Sequence, residues 1–257
     1  YVDRASADLQ SLHLSGAYVD DRQSLMAHLL SGREVTYQAW YGLPAQYADQ
    51  PALRTYNPAG TERPGSPYPD EVDHYTQRHT LLHYKRQLHP RLYMQLNGHY
   101  TRGYGYFEQY KAQQKSTQYG ITDWGRGPDS LPLRTDLVRR RWLDNDFYGS
   151  TFALRWSPDG SRHPVFLLGG AWSRYAGKHF GEIIWSRRAT GLDKDQRYYD
   201  NDAWKTDGNV FTKAEWQIGR SCTLFGDLQY RRVAYQFLGF NNRLEKEEKK
   251  VHFSYFN

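Results

Sequence analysis

The sequence predicts an all-β chain: an antiparallel transmembrane β-barrel segment of about nine strands, with short turns at one end and long loops at the other. Three observations carry this. Runs of alternating apolar and polar residues recur along the chain, and each run of about nine to twelve residues is close to the ~9–11 needed to cross a bilayer at a tilt. The connections alternate between clipped turns and elaborate loops, as in barrels whose periplasmic turns are short and whose outer loops are long. Tyrosine and tryptophan are abundant, at 22 and 8 of 257 residues, and such side chains sit well where one end is apolar and the other wet.

Composition is compatible with this reading. Hydrophobic residues make up 39% of the chain and mean hydropathy is −0.88. No run approaches the ~20 apolar residues of a spanning helix. A barrel strand shows lipid only at every second residue, so a polar average is expected of it. A single cysteine, Cys222, excludes a disulfide framework and a cysteine-based zinc site. The formal net charge of +6 suits phosphate-bearing lipid or an anionic ligand. Its cations are mixed with Asp and Glu through the loops, which argues against nucleic acid.

The first hairpin runs from about Leu9 to Leu30. Leu12, Leu14, Gly16 and Tyr18 share one face, opposed by Ser11, His13, Ser15 and Ala17. Asp20-Asp21-Arg22-Gln23 supplies the turn. A loop is expected from about Arg33 to Tyr75, because Pro44, Pro51, Pro58, Pro64, Pro67 and Pro69 remove ladder donors and fix φ. In the second hairpin Thr80, Leu82 and Tyr84 oppose His79, His83 and Lys85. His89-Pro90-Arg91 turns the chain. Leu92, Met94, Leu96, Gly98 and Tyr100 then oppose Tyr93, Gln95, Asn97, His99 and Thr101. The second loop is expected from about Gly103 to Asn145.

In the third hairpin Tyr148, Ser150, Phe152, Leu154 and Trp156 share a face. Ser157-Pro158-Asp159-Gly160 has strong turn chemistry. The return strand, Val165 to Tyr175, is apolar on both faces near its start, which suits a strand packed against another element. A third loop is expected from about Ala176 to Asn209. In the fourth hairpin Thr212, Ala214, Trp216 and Ile218 lead to Gly219-Arg220-Ser221, and Leu224, Gly226, Leu228 and Tyr230 return. The charged run Arg243 to Lys250 reads as a solvated loop, and a ninth strand as starting near Lys250.

Enzyme chemistry is not expected. The sequence has no Gly-x-Ser-x-Gly elbow, phosphate loop or His-Glu-x-x-His pair. Histidines are expected to be absent from the outward wall; His79, His83 and His99 fall on polar faces, as lumen-lining residues would. No metal or cofactor site is predicted.

Several segments resemble a known family. Arg33-Glu-Val-Thr-Tyr-Gln-Ala-Trp-Tyr-Gly-Leu-Pro44, with Arg54-Thr-Tyr-Asn-Pro58, is similar to a loop after an outward strand in TonB-dependent outer-membrane receptors. His99-Tyr-Thr-Arg-Gly-Tyr-Gly-Tyr-Phe-Glu-Gln-Tyr-Lys111, Trp142-Leu-Asp-Asn-Asp-Phe-Tyr-Gly149 and the segment Gly169 to Trp185 extend the resemblance. It is to iron-complex receptors of the Bacteroidetes type. It implies a barrel of about 22 strands around an N-terminal plug, and active import of an iron chelate (siderophore, haem or citrate type) or a similar scarce nutrient. It also implies partners: the TonB complex, reached through a plug segment not found in this chain, the outer-membrane lipid and lipopolysaccharide, and a small-molecule ligand. Residues 1–257 are thus read as a partial barrel domain without a plug, in the outer membrane of a Gram-negative bacterium. A soluble β-rich module that recognises glycan or protein through aromatic loops is the alternative.

Ligand-binding candidates are aromatic and arginine residues of the expected loops: Tyr104, Tyr106, Trp124, Trp185, Arg139, Arg140, Arg141 and Arg187, with Trp204 and Arg188 beside them. Aromatic stacking plus clustered guanidinium groups would suit an anionic, aromatic ferric chelate.

Overall fold

The computed structural model is one antiparallel sheet of nine strands in sequence order. The strands are β1 (Ala7–Val19), β2 (Gln23–Tyr37), β3 (Val72–His89), β4 (Leu92–Lys115), β5 (Arg134–Trp156), β6 (Val165–Ser186), β7 (Gln196–Ile218), β8 (Cys222–Phe240) and β9 (Lys246–Phe256). The structure describes residues 2–121, 124–125, 133–158, 164–188, 193, 195–219, 221–240 and 245–256. Among these the only helical pieces are 3-10 turns at Ala45–Tyr47, Pro51–Leu53 and Ser116–Tyr119. The sheet is not closed: β1 and β9 are its two edges.

Side-chain alternation divides the sheet into two unlike faces, because directly opposed residues on neighbouring strands share a face. One cross-strand row reads Leu25, Tyr84, Leu96, Phe152, Gly170, Val210, Tyr230 and Phe256. Leu82, Leu96, Phe152, Trp156, Phe166, Leu168, Trp172, Val210, Trp216, Leu224 and Leu228 lie on this face, 38% to 58% exposed. A soluble protein rarely leaves so continuous an apolar surface uncovered. The opposite face is richer in polar groups, with Phe147, Phe225, Phe253 and Tyr255 exposed among them. His13 Nε2 lies 3.2 Å from His28 Nδ1, His83 Nδ1 lies 2.9 Å from Asn97 Oδ1, and Asn97 Nδ2 donates to Thr151 Oγ1 at 2.8 Å. His79 and His99 also fall on this face.

At the turn end, Asp20 fixes the β1–β2 reversal. Its Oδ1 accepts the backbone N–H groups of Arg22 at 2.8 Å and Gln23 at 2.9 Å. The Arg22 amide and then the Gln23 side-chain amide hold its carboxyl at about 2. The expected turn residues Asp159, Gly160 and Arg220 lie outside the described residues.

At the loop end the strands run further than the sequence pattern predicts. They continue to Tyr37, Lys115 and Ser186, and their partners begin at Val72, Arg134 and Gln196, so the first three loops are shorter than expected. The apolar face explains why. On β4 its outward residues run from Leu92 to Tyr100, and Arg102 follows on the same face. Past that level charged residues interrupt the face, so apolar alternation no longer reports a strand, although ladder pairing continues. Arg102 sustains it through ion pairs to Asp144 at 2.6 Å and Asp146 at 3.0 Å on β5. β9 likewise starts at Lys246, so Lys246 to Lys250 is strand rather than solvated loop; Arg243 and Leu244 lie outside the described residues. The proline-rich connection, residues 38–71, is pinned by two fully buried amides. Asn57 Nδ2 donates to the carbonyls of Gln38 and Asp3, at 2.8 and 3.0 Å. Gln38 Nε2 donates to the carbonyls of Glu108 and Val72, at 2.7 and 3.1 Å.

Gly105 shows how tightly β3 and β4 approach. A Cβ there would sit 2.1 Å from the His74 carbonyl oxygen and 2.7 Å from Tyr75 Cα. These are backbone atoms, and they cannot move without breaking the ladder. Gly105→Val is therefore expected to destabilise the intact, detergent-folded protein by about 2–3 kcal/mol in urea unfolding. Gly16→Ala, with nothing within 4 Å of the new Cβ, should stay within about 0.5 kcal/mol. Equal midpoints for the two variants would refute the close-approach account.

Candidate functional site

Beyond the apolar band, the loop ends of β4–β7 carry a dense set of aromatic and guanidinium groups. Alternation sorts them onto two faces. Continuing the apolar face are Tyr104, Tyr106, Arg140, Trp142, Phe180 and Arg197. The Tyr106 and Trp142 rings lie 4.6 Å apart, and Trp142 stacks on Phe180 at 5.8 Å. Arg140 lies 4.2 Å over Tyr106, and Arg197 3.8 Å over Phe180. Arg140 Nε also donates to Glu108 at 2.7 Å, and Glu108 accepts from Tyr68 Oη at 2.5 Å. These groups are already satisfied by one another. They form a wall that locks strand ends together.

Continuing the polar face are Arg139 and Arg141. Arg139 donates to Gln109 Oε1 at 2.9 Å through Nη2 and to Tyr119 Oη at 3.3 Å through Nη1. Arg141 Nε donates to Tyr198 Oη at 3.3 Å, and its guanidinium lies 5.8 Å from the Phe107 ring centre. Each retains donors beyond these bonds, since a guanidinium has five N–H groups. Behind them is a small hydrophobic core of Tyr119, Ile121, Trp124, Leu137, Ile183 and Tyr198. Gly181 makes room for it: a Cβ there would stand 2.3 Å from the Tyr198 ring and 2.4 Å from that of Tyr199. Burial pushes the neighbouring Tyr199 hydroxyl up to about 12, so it stays a neutral donor.

The eight sequence-predicted candidates thus divide. Arg139 and Arg141 come together on the polar face. Tyr104, Tyr106 and Arg140 sit on strand, not loop, and on the other face. Trp124 is 2% exposed and serves as core. Trp185, near the end of β6, stacks on Tyr110 at 6.2 Å and is 46% exposed. Arg187 follows β6 and pairs with Asp136 at 2.9 Å. Sequence reasoning missed Gln109, Tyr119, Tyr198 and Asp136, which carry no motif. The Tyr198-Tyr199 doublet after a loop was the one available signal. Among the described residues no group of three or more His, Cys, Asp or Glu side chains could hold a metal ion.

Asp136 organises the site's margin. It is 2% exposed. It accepts from the Gln113 amide N–H at 2.9 Å, from Tyr110 Oη at 2.8 Å and from the Gln113 side chain at 3.2 Å, besides Arg187. Gln113 needs this support, because it has a left-handed φ of 52° at the bulge that separates Lys111 from Gln114.

The fold is that of part of the barrel of solved TonB-dependent iron-siderophore receptors. The chain is similar to the ferric-catecholate import receptor Fiu of E. coli K12, at TM-score 0.64 and 10% identity, over 99% of this chain and 44% of that one. It is similar to the ferric citrate transporter FecA, at TM-score 0.62 and 11% identity, over 99% and 33%. The ferric yersiniabactin uptake receptor FyuA of Yersinia pestis gives 0.53 and 11%, over 97% and 34%. The chain therefore spans a third to under half of the length of these structures. No family model and no curated protein matches the sequence.

Burial pushes the Asp136 carboxyl up, but the Gln113 amide, the Tyr110 hydroxyl and Arg187 outweigh it and hold the group below the ordinary carboxylate value. A depressed folded-state value contributes stability above the unfolded carboxylate range, and that contribution is lost as pH falls through the folded value. Resistance of residues 113–121 to proteolysis or hydrogen exchange should therefore hold at neutral pH and drop below about pH 4. Asp136→Ala should abolish that acid step and loosen the segment at pH 7 by about 2–3 kcal/mol, the cost of orphaning buried donors. An acid step that persists in the variant would show that another carboxylate carries it.

Proposed function

We propose that this chain forms part of the wall and the outer loops of an outer-membrane, TonB-dependent transporter that imports an iron chelate. The observation that carries the reading is the apolar band. It is about nine residues tall on β4, the height at which tilted strands match a bilayer's hydrocarbon core. In water it would be an uncovered apolar surface, which disfavours a soluble binding module. In a bilayer Trp156 and Trp216, towards the turns, and Tyr100 and Tyr148, towards the loops, lie near the two boundaries, where such side chains are favoured. The long-loop end then faces outward and the short turns face the periplasm.

Several features support the chelate. Fiu, FecA and FyuA are described as handling ferric catecholate, ferric citrate and ferric yersiniabactin. In this chain Arg139 and Arg141 present guanidinium groups on the polar, lumen-side face at the outward end, beside Tyr119, Tyr198 and Phe107. Guanidinium forks bind carboxylate and phenolate oxygens, and ring faces stack on aromatic chelators. Tyr104, Tyr106 and Arg140 belong to the outward wall and are not assigned to the ligand. Residues 1–257 then form a barrel portion, completed by further strands and a TonB-coupled plug.

Deleting the gene in its own strain should lower uptake of radiolabelled iron supplied as at least one chelate, and growth on that chelate as the iron source. In the intact receptor, Arg141→Ala should weaken binding of that chelate about tenfold or more, from the loss of a charged hydrogen bond, as read by tryptophan quenching. Uptake unchanged across catecholate, citrate, hydroxamate and haem iron would reject an iron cargo.

A further inference from the structure

The polar face of β1–β4 carries His13, His28, His79, His83 and His99. Two of them meet in a particular way. His13 Nε2 lies 3.2 Å from His28 Nδ1, the ring planes differ by 22° and the ring centres stand 5.5 Å apart. Centres this far apart, with nitrogens this close, place both nitrogens on the line between the centres. Their lone-pair axes therefore meet head-on, nearly in one plane, and a single proton fits between them. The His83 ring stands edge-on to His28 at 5.7 Å. His83 is fixed in turn: its Nδ1 lies 2.9 Å from Asn97 Oδ1, and Asn97 Nδ2 donates to Thr151 Oγ1 at 2.8 Å. No carboxylate stands beside the pair. Its neighbours along and across the strands on this face are Ser11, Ser15, Met26, Leu30 and Leu81.

We infer that His13 and His28 bind one soft monovalent cation, copper(I) or silver(I), in place of the proton they share. The inference needs only the β1–β2 register and does not rest on the transporter reading. Three properties of the pair select that class of ion. The first is ligand number. Among the described residues no group of three or more His, Cys, Asp or Glu side chains could hold a metal ion. Zinc, which takes four ligands in a tetrahedron, and calcium or magnesium, which take oxygens in larger number, find no set here. Monovalent copper and silver, with closed d shells, are satisfied by two ligands in line. The second is direction. Lone pairs aimed at each other offer that line, whereas chelating a divalent ion needs them to converge from one side. The third is softness. Imidazole suits copper, and the one sulfur beside the pair, the Met26 thioether, belongs to the ligands that select copper(I). Two metal–nitrogen bonds of about 2 Å in line need about 4 Å between the nitrogens. The pair must then open from 3.2 Å, a movement open to His13 because it is exposed. The displaced proton moves to the far nitrogen of its own ring, so both imidazoles stay neutral. The bound ion ties β1 to β2.

The test uses the intact, detergent-folded protein, stripped of metal with a chelator. Cys222, an exposed thiol that takes the same ions, is replaced throughout by Cys222→Ser. Copper(I) affinity is read under a reductant by competition with a chromogenic copper(I) chelator, and silver(I) affinity by calorimetry. His13→Ala and His28→Gln should each weaken binding of both ions by about tenfold or more. His79→Ala, whose ring meets Thr101 Oγ1 on the same face, should leave it unchanged. So should His252→Ala; register places His252 on the apolar face, against the expectation of an outward wall without histidine. Silver(I) should slow hydrogen exchange of the β1 amides in the parent protein and not in His13→Ala. X-ray absorption of the copper(I) form should show two nitrogen neighbours, and zinc should bind weakly to every form. Heat-modifiable gel mobility checks folding, and His13→Ala, at an exposed position, carries the comparison if His28→Gln does not fold. Equal affinity in the parent protein and the folded histidine variants would overturn the site, as would zinc bound as tightly as copper(I) or a four-coordinate copper(I) spectrum.

Discussion

Backbone pairing is the constraint on which everything else here depends. An apolar medium offers no water to an unpaired N–H or C=O, and each orphaned group costs several kcal/mol. Antiparallel pairing in plain sequence order meets that demand over the whole sheet, strand by strand. It leaves only the outer edges of β1 and β9 unpaired. Such edges in a bilayer call for further strands, which agrees with a chain that spans under half of its structural neighbours.

The same ladder decides where chemistry can sit. Once the strands are paired, each residue's face is fixed by parity, and a one-residue slip would exchange the faces. Arg140 and Arg141 are adjacent in sequence, yet parity sends one to Glu108 and Tyr106 and the other to Tyr198. The first closes a wall of mutually satisfied groups, and the second retains donors on the polar face. The bulges at Lys111/Gln114 and Val138/Arg139 are the local exceptions. The first needs Asp136 to hold Gln113 in a left-handed conformation. The buried carboxylate is thereby tied to the shape of the proposed ligand mouth.

Two basic regions follow from one principle at different depths. Arg139 and Arg141 lie on the polar face at the loop end, beside aromatic rings. Arg174, Arg232 and Lys250 lie on the opposite face at the top of the apolar band. The sequence shows only a net charge of +6 with cations scattered among acids. It takes the sheet to sort them onto its two faces.

Alternation by itself determined the four hairpins, the identity of the lipid-type face and the polar face that bears His79, His83 and His99. It could do so because every second residue in the band is apolar, and that alternation is written residue by residue. It could not determine where the strands end. Beyond Tyr100 on β4 neither face demands apolar side chains, so Arg102, Tyr104 and Tyr106 read as loop although ladder pairing carries them to Lys115. Nor could it tell Arg139 and Arg141 from Arg140, or Trp124 in the core from Trp185 at the surface, or bring together Gln109, Tyr119 and Tyr198. Those assignments depend on register between strands and on a segment folding back over them. Both are contacts distant in sequence, which only the tertiary structure sets.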